Sequence, residues 1–70
     1  SSATIEQSVV AQDAVVGANV LLKQCVLMRG ARVEEGAHLE HCILSPGAIV
    51  SGNVSAKGAI LGDQERLENA

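Results

Sequence analysis

The aliphatic residues of this chain recur at steps of five, six and six residues, whereas an amphipathic helix needs steps of three and four. When the sequence is written from Ala3 in rows of seventeen, the rows align in aliphatic columns. Three columns hold the larger side chains: Ile5, Leu22, Leu39 and Ala56; Val10, Leu27, Leu44 and Leu61; Val16, Val33, Val50 and Leu67. A smaller residue stands two positions before almost every member, so the two side chains share one face of a short strand.

Rows of equal length predict a solenoid in which each row forms one three-sided coil. Like residues then stack about 4.8 Å apart, and successive coils pair as parallel strands. Residues that tolerate a left-handed backbone stand at two of the three corners. These corner columns are Asn19, Gly36 and Asn53, and Asp13, Gly30 and Gly47. Pro46-Gly47 is a type II turn signal, whereas the third column is less diagnostic. That column is Gln7, Gln24, His41 and Gly58.

Units such as Ala31-Arg32-Val33 and Ala48-Ile49-Val50 resemble the hexapeptide repeats of the left-handed parallel β-helix. The resemblance covers residues 3 to 67. The left-handed winding is implied by this resemblance alone, because the general sterics of crossover connections favour the right hand. We therefore predict an all-β fold, a left-handed parallel β-helix solenoid with a triangular cross-section, forming a single domain over residues 1–70. Its four coils, each one row of seventeen, are 3–19, 20–36, 37–53 and 54–70, with the last acting as a cap.

One side of each coil is a residue shorter, as in Gln24-Cys25-Val26-Leu27 and His41-Cys42-Ile43-Leu44. These segments resemble an element of the C-terminal β-helix domains of sugar-nucleotide pyrophosphorylases, such as ADP-glucose pyrophosphorylase and mannose-1-phosphate guanylyltransferase. In that family a preceding domain with a Gly-rich loop performs nucleotidyl transfer, and this sequence has no such loop. The resemblance implies a non-catalytic oligomerisation or regulatory domain of a nucleotidyltransferase, with no catalytic residue, cofactor or metal in this chain.

The short side of the predicted coil carries an unbroken aliphatic stripe on its outer surface. The stripe is Val9, Val26, Ile43 and Ile60. Single exposed apolar residues are normal on protein surfaces, but a ladder of four indicates a binding surface. We predict an interface with another copy in a homo-oligomer or with a missing catalytic domain, which Leu21 and Ile49 could extend. High β-propensity on an exposed sheet is the alternative explanation.

The histidines and cysteines are the other candidate functional residues of this sequence. A trimeric hexapeptide acyltransferase or γ-carbonic-anhydrase-like enzyme would use His38 or His41 at a subunit boundary. In the acyltransferase the histidine would be the catalytic base. In the anhydrase the zinc needs three histidines, so a chain with two would have to share the site with other subunits. A stand-alone structural β-solenoid is the third alternative. We expect His38 to point outward from one side and His41 to lie at a corner. Cys25 and Cys42 share an inward column and are predicted to be buried free thiols.

The two ends of the sequence differ. The last row is highly charged, with Glu65 in place of a small inward residue, and this indicates a polar cap that blunts the final edge. Asp63 is suited to begin a short helical turn there. The first row begins abruptly at Ala3, so we expect another domain or chain to cover it.

Composition narrows the possible partners and the location. The chain has no aromatic residue, and eight acidic against five basic side chains give a net charge of −3. Nucleic-acid binding, which needs basic patches and stacking platforms, is therefore not expected. No uncharged run is long and apolar enough to span a membrane. The chain begins with Ser1 and Ser2 without a leader and has two cysteines, so we expect a cytoplasmic piece of a longer protein.

Overall fold

A computed structural model describes residues 3–68 and confirms the all-β solenoid of about four coils, with a repeat of seventeen residues. Each coil contributes three short strands. In chain order the strands are β1 Thr4–Glu6, β2 Val9–Val10, β3 Val15–Val16, β4 Leu21–Lys23, β5 Val26–Leu27, β6 Arg32–Val33, β7 His38–Glu40, β8 Ile43–Leu44, β9 Ile49–Val50, β10 Ser55–Lys57, β11 Ile60–Leu61 and β12 Arg66–Leu67. Within residues 3–68, no helix has the length and apolarity needed to cross a membrane.

The strands form three parallel sheets, each containing one strand from every coil. Sheet A has the order β1-β4-β7-β10, sheet B has β2-β5-β8-β11 and sheet C has β3-β6-β9-β12. Partners in neighbouring coils are one full row apart in the sequence, as in the pairing of Val10 with Leu27 and of Leu27 with Leu44. We call the outer surfaces of these sheets face A, face B and face C. The left-handed winding stays a prediction from the hexapeptide resemblance.

The core is formed by the two kinds of inward column that the repeat predicts. In the second and third coils the larger inward residues are at most 2% exposed: Leu22, Leu27, Val33, Leu39, Leu44 and Val50. The smaller inward residues of these coils are equally buried: Val20, Cys25, Ala31, Ala37, Cys42 and Ala48. No polar or charged residue in the described range is buried with them, so apolar burial provides the core's stability.

All three corners use left-handed backbone conformations, including the one that the sequence left undecided. Along that corner φ is positive at every coil: Gln7 at 50°, Gln24 at 54°, His41 at 55° and Gly58 at 72°. Its first two side chains form a ladder, in which Gln24 Nε2 donates a hydrogen bond to Gln7 Oε1 at 3.0 Å. Three non-glycine residues thus adopt αL here, although αL is disfavoured for side chains with a Cβ.

The predicted turn at Pro46-Gly47 is confirmed. The Ala48 N–H donates to the Ser45 carbonyl at 3.0 Å, and Gly47 has a φ of 77°. Pro46 has the negative φ that its ring imposes, and Gly47 follows it with a positive φ. A negative φ followed by a positive φ within a hydrogen-bonded four-residue turn is typical of type II. Gly36 is closely packed against the next coil: its φ is 79°, and an added Cβ would meet the end of the Asn53 side chain, which would have to turn aside.

The ends of the solenoid depart from the regular core. In the first coil, the inward residues Ile5 and Val10 remain 46% and 37% exposed, because no described coil packs above them. The last row is a regular coil through β12, so the expectation of a helical turn at Asp63 is wrong. Asp63 lies in the corner turn that the Glu65 N–H closes onto the Gly62 carbonyl at 3.1 Å. The part of the fourth coil at residues 69–70 lies outside the described range.

Candidate interaction surface

The four predicted stripe residues lie on face B in one straight ladder. Val9 pairs with Val26, Val26 with Ile43, and Ile43 with Ile60, each in parallel register. The end members are the most exposed, at 61% for Val9 and 73% for Ile60, whereas Ile43 is 37% exposed and Val26 is partly buried. Their outward direction follows from strand alternation, because the next residue of each strand belongs to the inward column.

Face B continues into a second ladder, two residues further along each coil. This ladder consists of Ala11, Met28, Ser45 and Gly62. Its backbone is held in the sheet, since the Met28 N–H donates to the Leu44 carbonyl at 2.9 Å and the Ser45 N–H to the Leu61 carbonyl at 3.0 Å. Met28 is the most exposed of the four, at 38%. The two ladders together contain no charged side chain.

Face A presents a contrasting surface. One of its outer ladders is Thr4, Leu21, His38 and Ser55, and the other is Glu6, Lys23, Glu40 and Lys57. The second ladder alternates in charge from coil to coil, so every register neighbour has the opposite sign. Lys57 Nζ lies 3.3 Å from Glu40 Oε1. Our sequence reasoning missed this ladder, although the aligned rows place its four members in one column.

Face C is mixed. Its main outer ladder, Val15, Arg32, Ile49 and Arg66, alternates between aliphatic and cationic residues. Arg66 Nη1 also lies 3.4 Å from Glu68 Oε2. Leu21 on face A and Ile49 on face C are each partly buried beside charged or polar neighbours, so neither is continuous with the stripe on face B.

The two histidines lie at different places on the third coil. His38 is exposed on face A, as expected, in a shallow depression of about 390 Å³ between the two outer ladders. His41 lies at the corner between sheets A and B, also as expected. Within residues 3–68, no three side chains among His, Cys, Asp and Glu come close enough to hold a metal ion.

Cys25 and Cys42 belong to the column of small inward residues next to the Gln7 corner, together with Ser8 and Ala59. Both thiols are buried, and each Sγ lies 3.4 Å from the carbonyl oxygen two residues earlier, at Lys23 and Glu40. Ser8 makes the same contact more strongly, with Oγ donating to the Glu6 carbonyl at 2.8 Å. Three members of this column thus combine small size with a donor that closes the corner, whereas the fourth, Ala59, is small but has no donor. Burial raises the pKa of the Cys25 thiol.

Comparison with known proteins adds a family to this geometry. The family model described as "GlmU-like, C-terminal hexapeptide" matches residues 1–66. The matched range includes nearly all of the four coils and therefore both ladders of face B. No curated protein and no solved structure matches the chain.

Proposed function

Because this chain belongs to the GlmU-like, C-terminal hexapeptide family, we propose that it is a non-catalytic assembly domain that joins protein subunits through face B. Its parent protein would be a sugar-1-phosphate nucleotidyltransferase, as the resemblance of the short side implies. In this proposal the solenoid provides a rigid contact surface, and the nucleotidyl transfer takes place in another domain. The inward columns stabilise the surface without taking part in binding.

The observation that carries this proposal is the difference between face B and the other two faces. Face B has an aliphatic stripe and no charged side chain, whereas ladders on faces A and C carry Glu, Lys or Arg. Removing a charge from water costs free energy unless it is paired, and burying aliphatic surface contributes about 25 cal/mol per Å². Of the three faces, face B can therefore be buried at the lowest cost.

The test is Ile43→Glu, which places a carboxylate in the middle of the stripe. Ile49→Glu is a matched control, because it makes the same substitution in the same coil but on face C. We expect Ile43→Glu to weaken association by at least tenfold, since an unpaired buried charge costs more than about 1.4 kcal/mol. Ile49→Glu should leave association near the wild-type level.

Association is measured as mass against concentration by size exclusion with light scattering. Refractive index must report the concentration, because the chain has neither Trp nor Tyr. Far-UV circular dichroism confirms that both variants keep the β-sheet signal. A folded Ile43→Glu variant that associates as strongly as the wild type would refute the assembly role of face B.

A further inference from the structure

We propose that the two ends of the solenoid fit each other, so that the fourth coil of one copy pairs with the first coil of a second copy unless the Glu65 side chain blocks the contact. The partner is a second copy of this chain, added head to tail as if it were the next coil. The two surfaces are the lower edge of the fourth coil and the upper edge of the first coil. This inference goes beyond the proposed function and does not depend on face B.

The lower edge of the fourth coil is occupied by the Glu65 carboxylate. In the first three coils, the residue in the ladder of Gly62 donates its N–H to a carbonyl of the next coil at 2.9–3.0 Å. The Gly62 N–H donates instead to Glu65 Oε1 within its own coil. A Cβ added at Gly62 would lie 3.2 Å from the same oxygen, so the glycine leaves room for the carboxylate. Glu65 therefore takes the place that a carbonyl of a further coil would occupy.

The column in which Glu65 stands explains this contact. The column contains Ala14, Ala31 and Ala48 in the other coils, and Ala31 and Ala48 are completely buried. The Glu65 main chain keeps the register of the sheet, since its carbonyl accepts the Ile49 N–H at 2.8 Å. A glutamate is too large for a column packed around alanine, so its side chain lies at the open edge and is exposed. A charged side chain on a strand edge opposes pairing with another chain.

The upper edge of the first coil presents apolar inward residues that suit the fourth coil. Ile5 and Val10 are 46% and 37% exposed there. In the fourth coil, the same columns contain the small Ala56 and the larger Leu61. In a head-to-tail pair, Ile5 of the partner subunit packs against Ala56, and Val10 of the partner subunit packs against Leu61. The contact therefore buries the same columns that neighbouring coils bury within one chain.

The alternating charges on face A continue across this contact. The ladder begins with Glu6 in the first coil and ends with Lys57 in the fourth, because it has an even number of members. A copy added head to tail places Glu6 of the partner subunit beside Lys57. Within one chain, Lys57 Nζ already lies 3.3 Å from Glu40 Oε1 across one coil step. Opposite charges at this position favour the head-to-tail order and its register.

The remaining columns place one repulsion at the contact. Between residues 54–68 of one copy and residues 3–17 of the partner subunit, no register pair has like charges. Asp13 of the partner subunit lies diagonal to both Asp63 and Glu65. Repulsion among these carboxylates adds to the block by Glu65, and a substitution of Glu65 removes part of it.

The chain ends meet at one corner of the contact. Residues 69–70 of one copy and residues 1–2 of the next fall in the same two columns when the copies are aligned by the repeat. One of these two-residue ends therefore turns outward in the stack. In the coils that the structure describes, these columns form a corner rather than a strand, so the strand pairing between copies is not interrupted.

The first test is Glu65→Ala, which restores the residue that the other three coils have in this column. Glu68→Ala is the matched control, because it removes the same charge from the same coil, where Glu68 pairs with Arg66. We expect the mass of Glu65→Ala to rise severalfold with concentration and to pass beyond a dimer, since a head-to-tail contact does not close. Glu68→Ala should keep the wild-type mass. Light scattering measures the mass, and far-UV circular dichroism confirms the β-sheet signal of both variants.

Glu65→Gln separates the hydrogen bond from the charge. The amide oxygen of glutamine still accepts the Gly62 N–H, so this variant should have a mass closer to the wild type than to Glu65→Ala. Stacking as strong as that of Glu65→Ala would overturn the hydrogen-bonded block.

A mixture with the wild type tests the direction of stacking. The first coil of a wild-type chain joins the open edge of a Glu65→Ala assembly, and its own Glu65 then stops the next addition. An excess of wild type should therefore lower the mass of preformed Glu65→Ala assemblies severalfold. In negative-stain electron micrographs, the assemblies without wild type should be unbranched filaments about 28 Å wide.

The register is tested by Lys57→Glu in the Glu65→Ala chain. It places a carboxylate beside Glu6 of the partner subunit and should weaken stacking by about threefold. Lys23→Glu in the same chain is the control, because Lys23 belongs to the same ladder but lies away from both ends. Equal stacking of these two chains would overturn the register.

Two results would overturn the inference as a whole. A folded Glu65→Ala variant with the mass of Glu68→Ala would show that Glu65 does not block the edge. Amorphous clusters of Glu65→Ala that an excess of wild type does not shorten would show that the first coil of a second copy is not the partner. Neither result depends on whether Ile43→Glu weakens association through face B.

Discussion

Val16 and Val33 are both valines and occupy the same inward column in adjacent coils, yet their surroundings differ. Val33 is completely buried between the first and third coils. Val16 has the second coil below it and no described coil above it, and it remains only partly buried. The same difference separates Val10, which is 37% exposed, from Leu27 below it, which is fully buried.

This comparison shows that a coil does not build a core by itself. Each coil supplies a ring of inward side chains, and the neighbouring coils on both sides remove that ring from water. The inner coils therefore carry most of the stability, and the first coil depends on whatever packs against its open end. The following predictions test this difference, from the largest expected effect to the smallest.

The inward valines should show the difference most clearly. Val33→Ala removes two carbon atoms from a fully buried site and should lower the free energy of unfolding by about 2–3 kcal/mol. Val16→Ala removes the same atoms from a half-buried site and should cost less than about 1 kcal/mol. Urea unfolding followed by far-UV circular dichroism measures both. Equal losses would show that the first coil is as well covered as the second.

The corner glycines provide a second matched pair. Gly36 and Gly58 have similar φ values of 79° and 72°, but an added Cβ meets the Asn53 side chain at Gly36 and nothing within 4 Å at Gly58. Gly58→Ala should cost only the left-handed backbone penalty of about 1 kcal/mol, whereas Gly36→Ala should cost this penalty and, in addition, a few tenths of a kcal/mol for turning the Asn53 side chain aside. Thermal unfolding by circular dichroism compares the two. A larger loss at Gly58 would contradict the role of coil stacking.

The smallest effect concerns Cys25, between the first and third coils. Burial raises the pKa of its thiol above the ordinary value of 9.0. The unfolded chain therefore ionises first, so stability is fully present below pH 9 and falls as the pH rises through the folded-state value. The slope should be no steeper than about 1.4 kcal/mol per pH unit.

Cys25→Ser is the matched variant, because the hydroxyl of Ser8 already makes the equivalent corner contact in the first coil. We expect the variant to fold and to lose less stability than the wild type between pH 9 and pH 10.5. Urea unfolding at a series of pH values gives the difference. If both proteins lose the same free energy of unfolding between pH 9 and pH 10.5, the Cys25 thiol is not the cause of the alkaline destabilisation.

The coil length, the three inward columns and the outward stripe could be predicted from the sequence. In a solenoid every coil repeats the same backbone conformation, so structurally equivalent residues align in columns. The positions of two corners could be predicted from their Asn and Gly residues, which adopt positive φ readily. The third corner was left undecided, since Gln7, Gln24 and His41 have no strong preference for αL. There the hydrogen-bonded ladders on either side impose the backbone conformation.

The surfaces were harder to predict than the core. The stripe on face B was visible because four aliphatic residues at outward positions contradict the usual polar exterior. The alternating ladder on face A was overlooked, since single Glu and Lys residues on a surface attract no notice. At Asp63 the local preference for beginning a helix lost to parallel pairing of β12 with β9, which continues the coil. Tertiary pairing overrode propensity at that position.

The constant register between coils also governs how this domain can fold and change in length. Every ladder contact closes a loop of the same size, at a cost on the order of 2.5 kcal/mol from the logarithm of loop length. Two adjacent coils are thus the smallest nucleus, and growth proceeds from it one coil at a time. Deleting a single residue within a strand would turn the side chains that follow it in that strand to the other face, because alternate residues point to opposite faces. Deleting or duplicating a whole row would leave each column intact, so a change in length by one whole coil preserves the core.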